Sequence, residues 1–147
     1  MTTLLKEWLI QNEYPLDDLN AVGKYGNSPI MKACREANIG LVDELISLGV
    51  DLNIKNVDGN SALWNSCFGN SYECFEALVR AGIDIDSQNV NNVTSLMYCA
   101  SAGKDIFVEL LIKHKANTEL ISLDDFKAID LAVTPKIVKL LKNAKVS

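Results

Sequence analysis

The chain is 147 residues long, 48% hydrophobic, with a formal net charge of −5. That is one domain's worth of chain, long enough to bury roughly 68–70% of its unfolded surface, and its acidic balance argues against nonspecific nucleic-acid binding, which needs a basic face. No apolar run approaches the roughly 20 residues of a membrane span, and the opening "MTTLLKEWLIQNEY" has no basic leader and is interrupted by Lys6 and Glu7, so a cytoplasmic protein without a signal peptide is expected.

In chain order, residues 3–12 predict an amphipathic helix with Leu4, Leu5, Trp8 and Leu9 inward. Next comes "GNSPIMKACREANIGLVDELISLG". Ser28 stands where a helix begins and its hydroxyl can accept an orphan backbone N–H; Pro29 suits the first helical position. A second helix follows, with Leu41, Val42, Leu45 and Ile46 at helical spacing and Gly49 closing it in a left-handed conformation. The pattern returns with Ser61 before "ALWNSCFGN", then "YECFEALVRAG" closed by Gly82. It returns again with Thr94 before a helix and "DIFVELLIKHK", Asn92 and Lys115 standing where the other units have glycine. Asn is suited to positive φ at the first of these places; the exit at Lys115 is left open. Finally "FKAIDLAVTPKIVKLLKNA" compresses the pattern by several residues, with Thr134 capping and Pro135 in the first turn. Its Lys136, Lys139, Lys142 and Lys145 give the last helix a polar outer face, and the ten basic and nineteen acidic side chains before them leave −9 over residues 1–135.

The register of these units is 33 residues. That step carries Gly26 to Gly59, Gly49 to Gly82, Ile30 to Leu63 and Leu96, Cys34 to Cys67 and Ala100, and Leu45 to Leu78 and Leu111. It also carries Asp18 to Asp51, Asp84 and Asn117. Helices this short are unstable alone in water, so stacking of neighbouring units must hold them.

Chemistry-bearing residues are sparse. Cys34, Cys67, Cys74 and Cys99 form no C-x-x-C pair, and the only histidine is His114, so no zinc-ligand spacing exists. The cysteines fall on small or apolar repeat positions and are predicted to be reduced, buried thiols. His114 falls at the end of a second helix, where a surface role at the helix C-terminus is expected rather than catalysis. The pairs Asp17-Asp18 and Asp124-Asp125, with Asp84 and Asp86, lie in turns, where Asp serves the backbone. No phosphate loop, nucleophile elbow or catalytic triad is visible. The sequon Asn92-Val93-Thr94 is discounted, because its Thr is a predicted helix cap. No enzyme, cofactor or metal is expected.

A 33-residue unit of turn plus two helices, with a T-P-L-H-x-A-like helix start, marks the ankyrin repeat. The stretches "GNSPIMKACREANIGLVDELISLGVDLN", "GNSALWNSCFGNSYECFEALVRAGIDID" and "NVTSLMYCASAGKDIFVELLIKHKANTE" resemble it over almost the whole chain, which is similar to small stand-alone bacterial examples. Met31, Trp64 and Met97 depart from the family's histidine, so apolar contact must replace its bond to the turn. The resemblance implies an all-α ankyrin solenoid in one domain over 1–147: an N-cap over 1–22, full repeats over 23–55, 56–88 and 89–121, and a shortened C-cap over 122–147.

It also implies binding through the turn tips and outer faces of the first helices, together a concave groove roughly 30 Å long at about 8–10 Å per repeat. Carried over by position, that face is Lys24, Tyr25, Asn27, Lys32, Arg35 and Glu36 in the first full repeat, and Val57, Asp58, Asn60, Trp64, Asn65 and Phe68 in the second. In the third it is Val90, Asn91, Val93, Tyr98 and Ser101, continued by Leu123, Asp124 and Phe126. Tyr25, Val57, Phe68, Val90, Val93 and Phe126 would make an exposed apolar path, and exposed aromatic clusters mark interfaces; some could instead fold onto the scaffold, and Trp64 could be core. The function implied is that of a cytosolic adaptor or regulator, monomeric when free, that binds one folded protein. Its acidic body favours a basic surface, such as that of a nucleic-acid-handling or translation protein. The partner is expected to be neither nucleic acid, membrane nor small molecule. The alternatives are a subunit of a permanent homo- or hetero-oligomer and, less favoured, an enzyme.

Overall fold

The computed structural model describes residues 1–144; Lys145, the last of the terminal lysines, lies outside them with the end of the shortened repeat. The described residues form α-helices, one 3-10 turn and no strand. They divide into two compact units, one over Met1–Ile83 and one that begins at Asp84.

The first unit contains α1 (Thr3–Gln11), a 3-10 turn (Lys24–Gly26), α2 (Pro29–Arg35), α3 (Ile39–Ser47), α4 (Ala62–Phe68) and α5 (Tyr72–Arg80). The first helices α2 and α4 pack on each other, as do the second helices α3 and α5, and each first helix lies against its own second helix. The second unit contains α6 (Ser95–Ser101), α7 (Asp105–Lys113), α8 (Ala128–Leu131) and α9 (Pro135–Ala144), with α6 on α8 and α7 on α9. First helices begin at residues 29, 62 and 95, and second helices at 39, 72 and 105, both in steps of 33. In the last repeat α8 keeps four residues where the other first helices have seven. The lost turn explains the compression seen in the sequence.

Each unit is held by the faces its helices turn inward. In the first unit Ile30, Met31, Ala33, Cys34, Leu63, Cys67, Phe75 and Leu78 are buried, with Leu5 and Leu9 of α1. In the second the core is Leu96, Met97, Cys99, Ala100, Phe107, Val108 and Leu111, closed by Ile137 and Leu141 of α9. Leu4 is not part of the core: it is 67% exposed, while Trp8 of α1 is half-buried and stacks on Tyr14 at 6.0 Å. Three of α1's four expected contacts remain, because Leu4 lies off the stripe shared by Leu5, Trp8 and Leu9. Instead α1 is tied to α3 through Thr2, whose N–H and hydroxyl donate to the two carboxylate oxygens of Glu44 at 2.7 and 2.6 Å. These bonds hold the Glu44 carboxyl below its usual range.

The predicted helix caps divide. Thr94 accepts from the Met97 N–H at 3.1 Å, and Thr134 from Ile137 at 3.2 Å. Ser28 and Ser61 precede their helices as expected but make no side-chain cap bond. The Ser28 hydroxyl is buried without a hydrogen-bond partner among the described residues. An unbranched serine has rotamers open to it that threonine's β-branch restricts, so position alone does not aim the oxygen.

The helix exits are left-handed, as the glycines predict: Gly49 has φ 80° and Gly82 φ 93°. Lys115 takes the same place with φ 68°, which resolves the third exit, and Asn92 has φ 57°. A side chain in this region carries a strain that glycine lacks. Lys115→Gly is therefore expected to stabilise the chain by roughly 0.5–1 kcal/mol, read as a shifted urea midpoint at unchanged slope.

Gly69 is required for a different reason. Its φ is ordinary at −78°, but a Cβ there would lie 2.5 Å from the Arg35 carbonyl oxygen and 2.8 Å from that of Cys34. Those atoms are backbone, and the end of α2 cannot yield without moving. Gly69→Ala should cost roughly 1–3 kcal/mol or more by forcing α2 and α4 apart, measurable as a fall in melting temperature.

Candidate partner-binding face

The turn tips are built by one recurring device. In the turn 56–60, the Asn56 N–H donates to the Asn60 carbonyl at 3.0 Å, while Asn56 Oδ1 accepts from the N–H groups of Asp58 and Asn60, both at 3.0 Å. Asn89 repeats this with Asn91 and Val93 at 2.9 and 3.0 Å, and Ser122 Oγ with Asp124 and Phe126 at 3.3 and 3.2 Å. One side chain thus satisfies two N–H groups that the tight turn would strand. The first turn, 23–27, has Gly23 at this place and so no acceptor, and there Tyr25 is left-handed (φ 60°, ψ 16°). Within each unit, successive tips are linked by a backbone bond: Val57 N–H to the Tyr25 carbonyl and Leu123 N–H to the Asn91 carbonyl, each 3.0 Å. Asn56 Nδ2 adds a bond to Asn27 Oδ1 at 2.9 Å.

Side chains beside these anchors point out. In the first unit Lys24, Tyr25, Arg35, Glu36, Val57, Asp58 and Phe68 are exposed, Tyr25 at 64% and Phe68 at 41%. Phe68 stacks on Trp64 at 5.4 Å, and the Arg35 guanidinium lies 4.2 Å above the Phe68 ring. Trp64 is half-buried, whereas Met31 and Met97 in its slot are buried, because an indole is too large to enclose fully. Asn27 and Lys32 are also half-buried.

Two expected face residues belong to the scaffold. Asn60 is buried, its backbone N–H and carbonyl closing the turn on Asn56. Asn65 is 1% exposed, with Nδ2 donating to the Ser61 carbonyl at 3.0 Å and Oδ1 lacking a hydrogen-bond partner among the described residues. Lys32 and Tyr98 occupy the same slot in their repeats and reach solvent along longer side chains; asparagine is too short to do so. In the second unit Val90, Asn91, Ser101, Leu123, Asp124 and Phe126 are exposed, and Val93 and Tyr98 are half-buried.

The residues that could have carried chemistry are engaged otherwise. Asp18, Asp51 and Asp84 each accept the backbone N–H two residues on, at 2.9–3.0 Å, as does Asn117. Asp86 Oδ1 accepts from the Asn117 N–H at 2.8 Å, and Asp125 is left-handed in its turn. His114 caps the C-terminus of α7. All four cysteines are buried and unbridged. The Cys34 thiol donates to Cys74, which with burial pushes Cys34 well above the usual thiol range and draws Cys74 down to about 7. Neither residue has accessible surface through which a reagent could approach. Among the described residues there is no group of three or more metal-binding side chains, and no helix long and apolar enough to cross a membrane.

Sequence reasoning missed Asn56, Asn89 and Ser122. Their signal is the 33-residue step from Asn56 to Asn89, one residue before the exposed valines Val57 and Val90. Asn56→Ala removes two acceptor contacts and one donor, and should cost about 1–3 kcal/mol by stranding turn N–H groups; chemical denaturation and faster amide exchange at Asp58 and Asn60 would register it.

A family model described as ankyrin repeats, in three copies, matches residues 2–89 and again 67–147. No curated protein matches the chain.

Proposed function

The chain belongs to the ankyrin-repeat family of protein–protein interaction modules, and on that premise we propose that it is a cytoplasmic adaptor or regulator that binds one folded protein. Contact is made through the turn tips and first-helix faces. The observation that carries this is the apolar surface at those positions: Tyr25, Val57 and Phe68 in the first unit, and Val90, Leu123 and Phe126 in the second, are exposed where a turn, or for Phe68 the outer face of α4, would ordinarily carry polar groups. Large apolar side chains left in water in a cluster are the usual mark of a protein interface. Binding itself is then the activity, by masking, bridging or escorting the partner. The acidic body attracts a partner with a basic surface at long range and so raises the rate of encounter.

Phe68 is the critical residue. It combines exposure with a rigid setting between stacked Trp64 and the Arg35 guanidinium, which lowers the ordering cost of contact. With the partner isolated by co-purification and titrated calorimetrically, Phe68→Ala should weaken binding about tenfold or more, roughly 1.4 kcal/mol. The variant should lose less stability than the roughly 3–5 kcal/mol typical of a core phenylalanine. Glu73→Ala, on the exposed side of α5, should bind as the wild type does. A steep fall in melting temperature with unchanged affinity would make Phe68 a scaffold residue and refute this face. Recovery of only further copies of the chain would favour a self-assembling subunit.

A further inference from the structure

We propose that a recess in the first unit is a binding site for an acidic segment of the partner protein; this rests on the partner-binding reading and adds the chemistry of one contact. The recess, about 560 Å³, lies where the end of α1 meets the first turn and α2, and its walls include Tyr14, Lys24, Tyr25, Lys32, Arg35 and Glu36. Three cations thus converge against one carboxylate in a chain whose net charge is −5. Among the described residues none of the three has a carboxylate oxygen within 4.0 Å, whereas Lys127 is paired with Glu119 and Lys136 with Asp105. The one wall carboxylate, Glu36, accepts instead from the Trp8 indole N–H at 3.0 Å.

Two of the cations are also held in place. The Arg35 guanidinium carbon lies over the Phe68 ring, 4.2 Å from its centre, and Lys24 Nζ stands 5.1 Å from the centre of the Tyr25 ring. Such cation–π contacts fix a basic side chain without satisfying its N–H donors. Tyr25 is presented by a left-handed backbone, rare for a bulky residue, and its neighbour Tyr14 is anchored by a hydroxyl bond to the Asn27 carbonyl at 2.8 Å. The site therefore offers fixed donors for one or two carboxylates beside aromatic walls for an aliphatic or aromatic flank. A fork of guanidinium N–H groups suits a carboxylate in particular. Against a nucleic-acid strand, the −9 carried before the terminal lysines repels a polyphosphate along its whole length. Long-range attraction and local contact thus select opposite charges, and the partner that satisfies both is bipolar.

The test is selection of a random phage-displayed peptide library on the immobilised full chain. Enrichment of Asp and Glu beside an apolar residue is expected. The best peptide, synthesised, should bind the double variant Lys24→Glu/Arg35→Glu about tenfold or more weakly than wild type, and bind Lys113→Glu, in the second unit, as tightly. Replacing its acids by amides should weaken it comparably. Should the double variant fail to fold, amide shifts on labelled wild-type chain decide: changes centred on Lys24, Tyr25, Lys32 and Arg35 support the site, and changes centred elsewhere overturn it. Selected peptides without acidic enrichment, acidic peptides indifferent to the charge reversal, or displacement by an equal concentration of oligothymidylate also overturn it. If Phe68→Ala abolishes partner binding and the charge reversal does not, this inference alone fails. If Phe68→Ala leaves the partner bound, the proposed function fails independently of the peptides.

Discussion

A helix of seven residues cannot hold itself together in water, since nucleation fixes several residues for a single hydrogen bond. The first helices α2, α4 and α6 are each that short. Everything else in the structure follows from the need to lend them stability from outside. They are seamed with small residues, Ala33 and Cys34, Ser66 and Cys67, Cys99 and Ala100, all without accessible surface. Small side chains let helix backbones approach closely, and where α2 meets α4 even a methyl group is too much, which is why Gly69 stands there. Cys34, Cys67 and Cys99 are part of this seam, as small side chains without accessible surface.

The same need explains the turns. The turn acceptors Asn56, Asn89 and Ser122 each fix the backbone of the tight turn that leads into a first helix. The Asp18, Asp51, Asp84 and Asn117 turns do the same at the opposite edge of each loop. Polar residues in the loops thus serve the backbone, as the carboxylates of Asp18, Asp51 and Asp84 do for the N–H two residues on.

The helical repeat was legible in the sequence, because a 33-residue period records burial, helix exits and turn chemistry together. The failures share a cause. Period assigns a slot but not how far a side chain reaches out of it: Asn65 shares its slot with Lys32 and Tyr98 yet stays buried, and Ser28 shares one with Thr94 yet leaves its oxygen unaimed. Leu4 was misplaced because α1 has no second copy in exact register against which to check its face. The candidate face was legible as a set of positions, whereas its grouping was not. That Arg35 would lie over Phe68, 33 residues away, and that three cations would converge beside Tyr14, depends on α2 packing against α4 and on the path of the first turn.

The turn anchors have an evolutionary consequence. Each acceptor sits one residue before the exposed tip, so the backbone of the tip is held by a side chain other than those the tip displays. Residues 57 and 58, or 90 and 91, can be exchanged freely while Asn56 or Asn89 keeps the loop in shape. Recognition at the second and third turns can therefore drift or be re-engineered at constant fold: the letters after each anchor are open to rewriting while the anchor keeps the loop in shape.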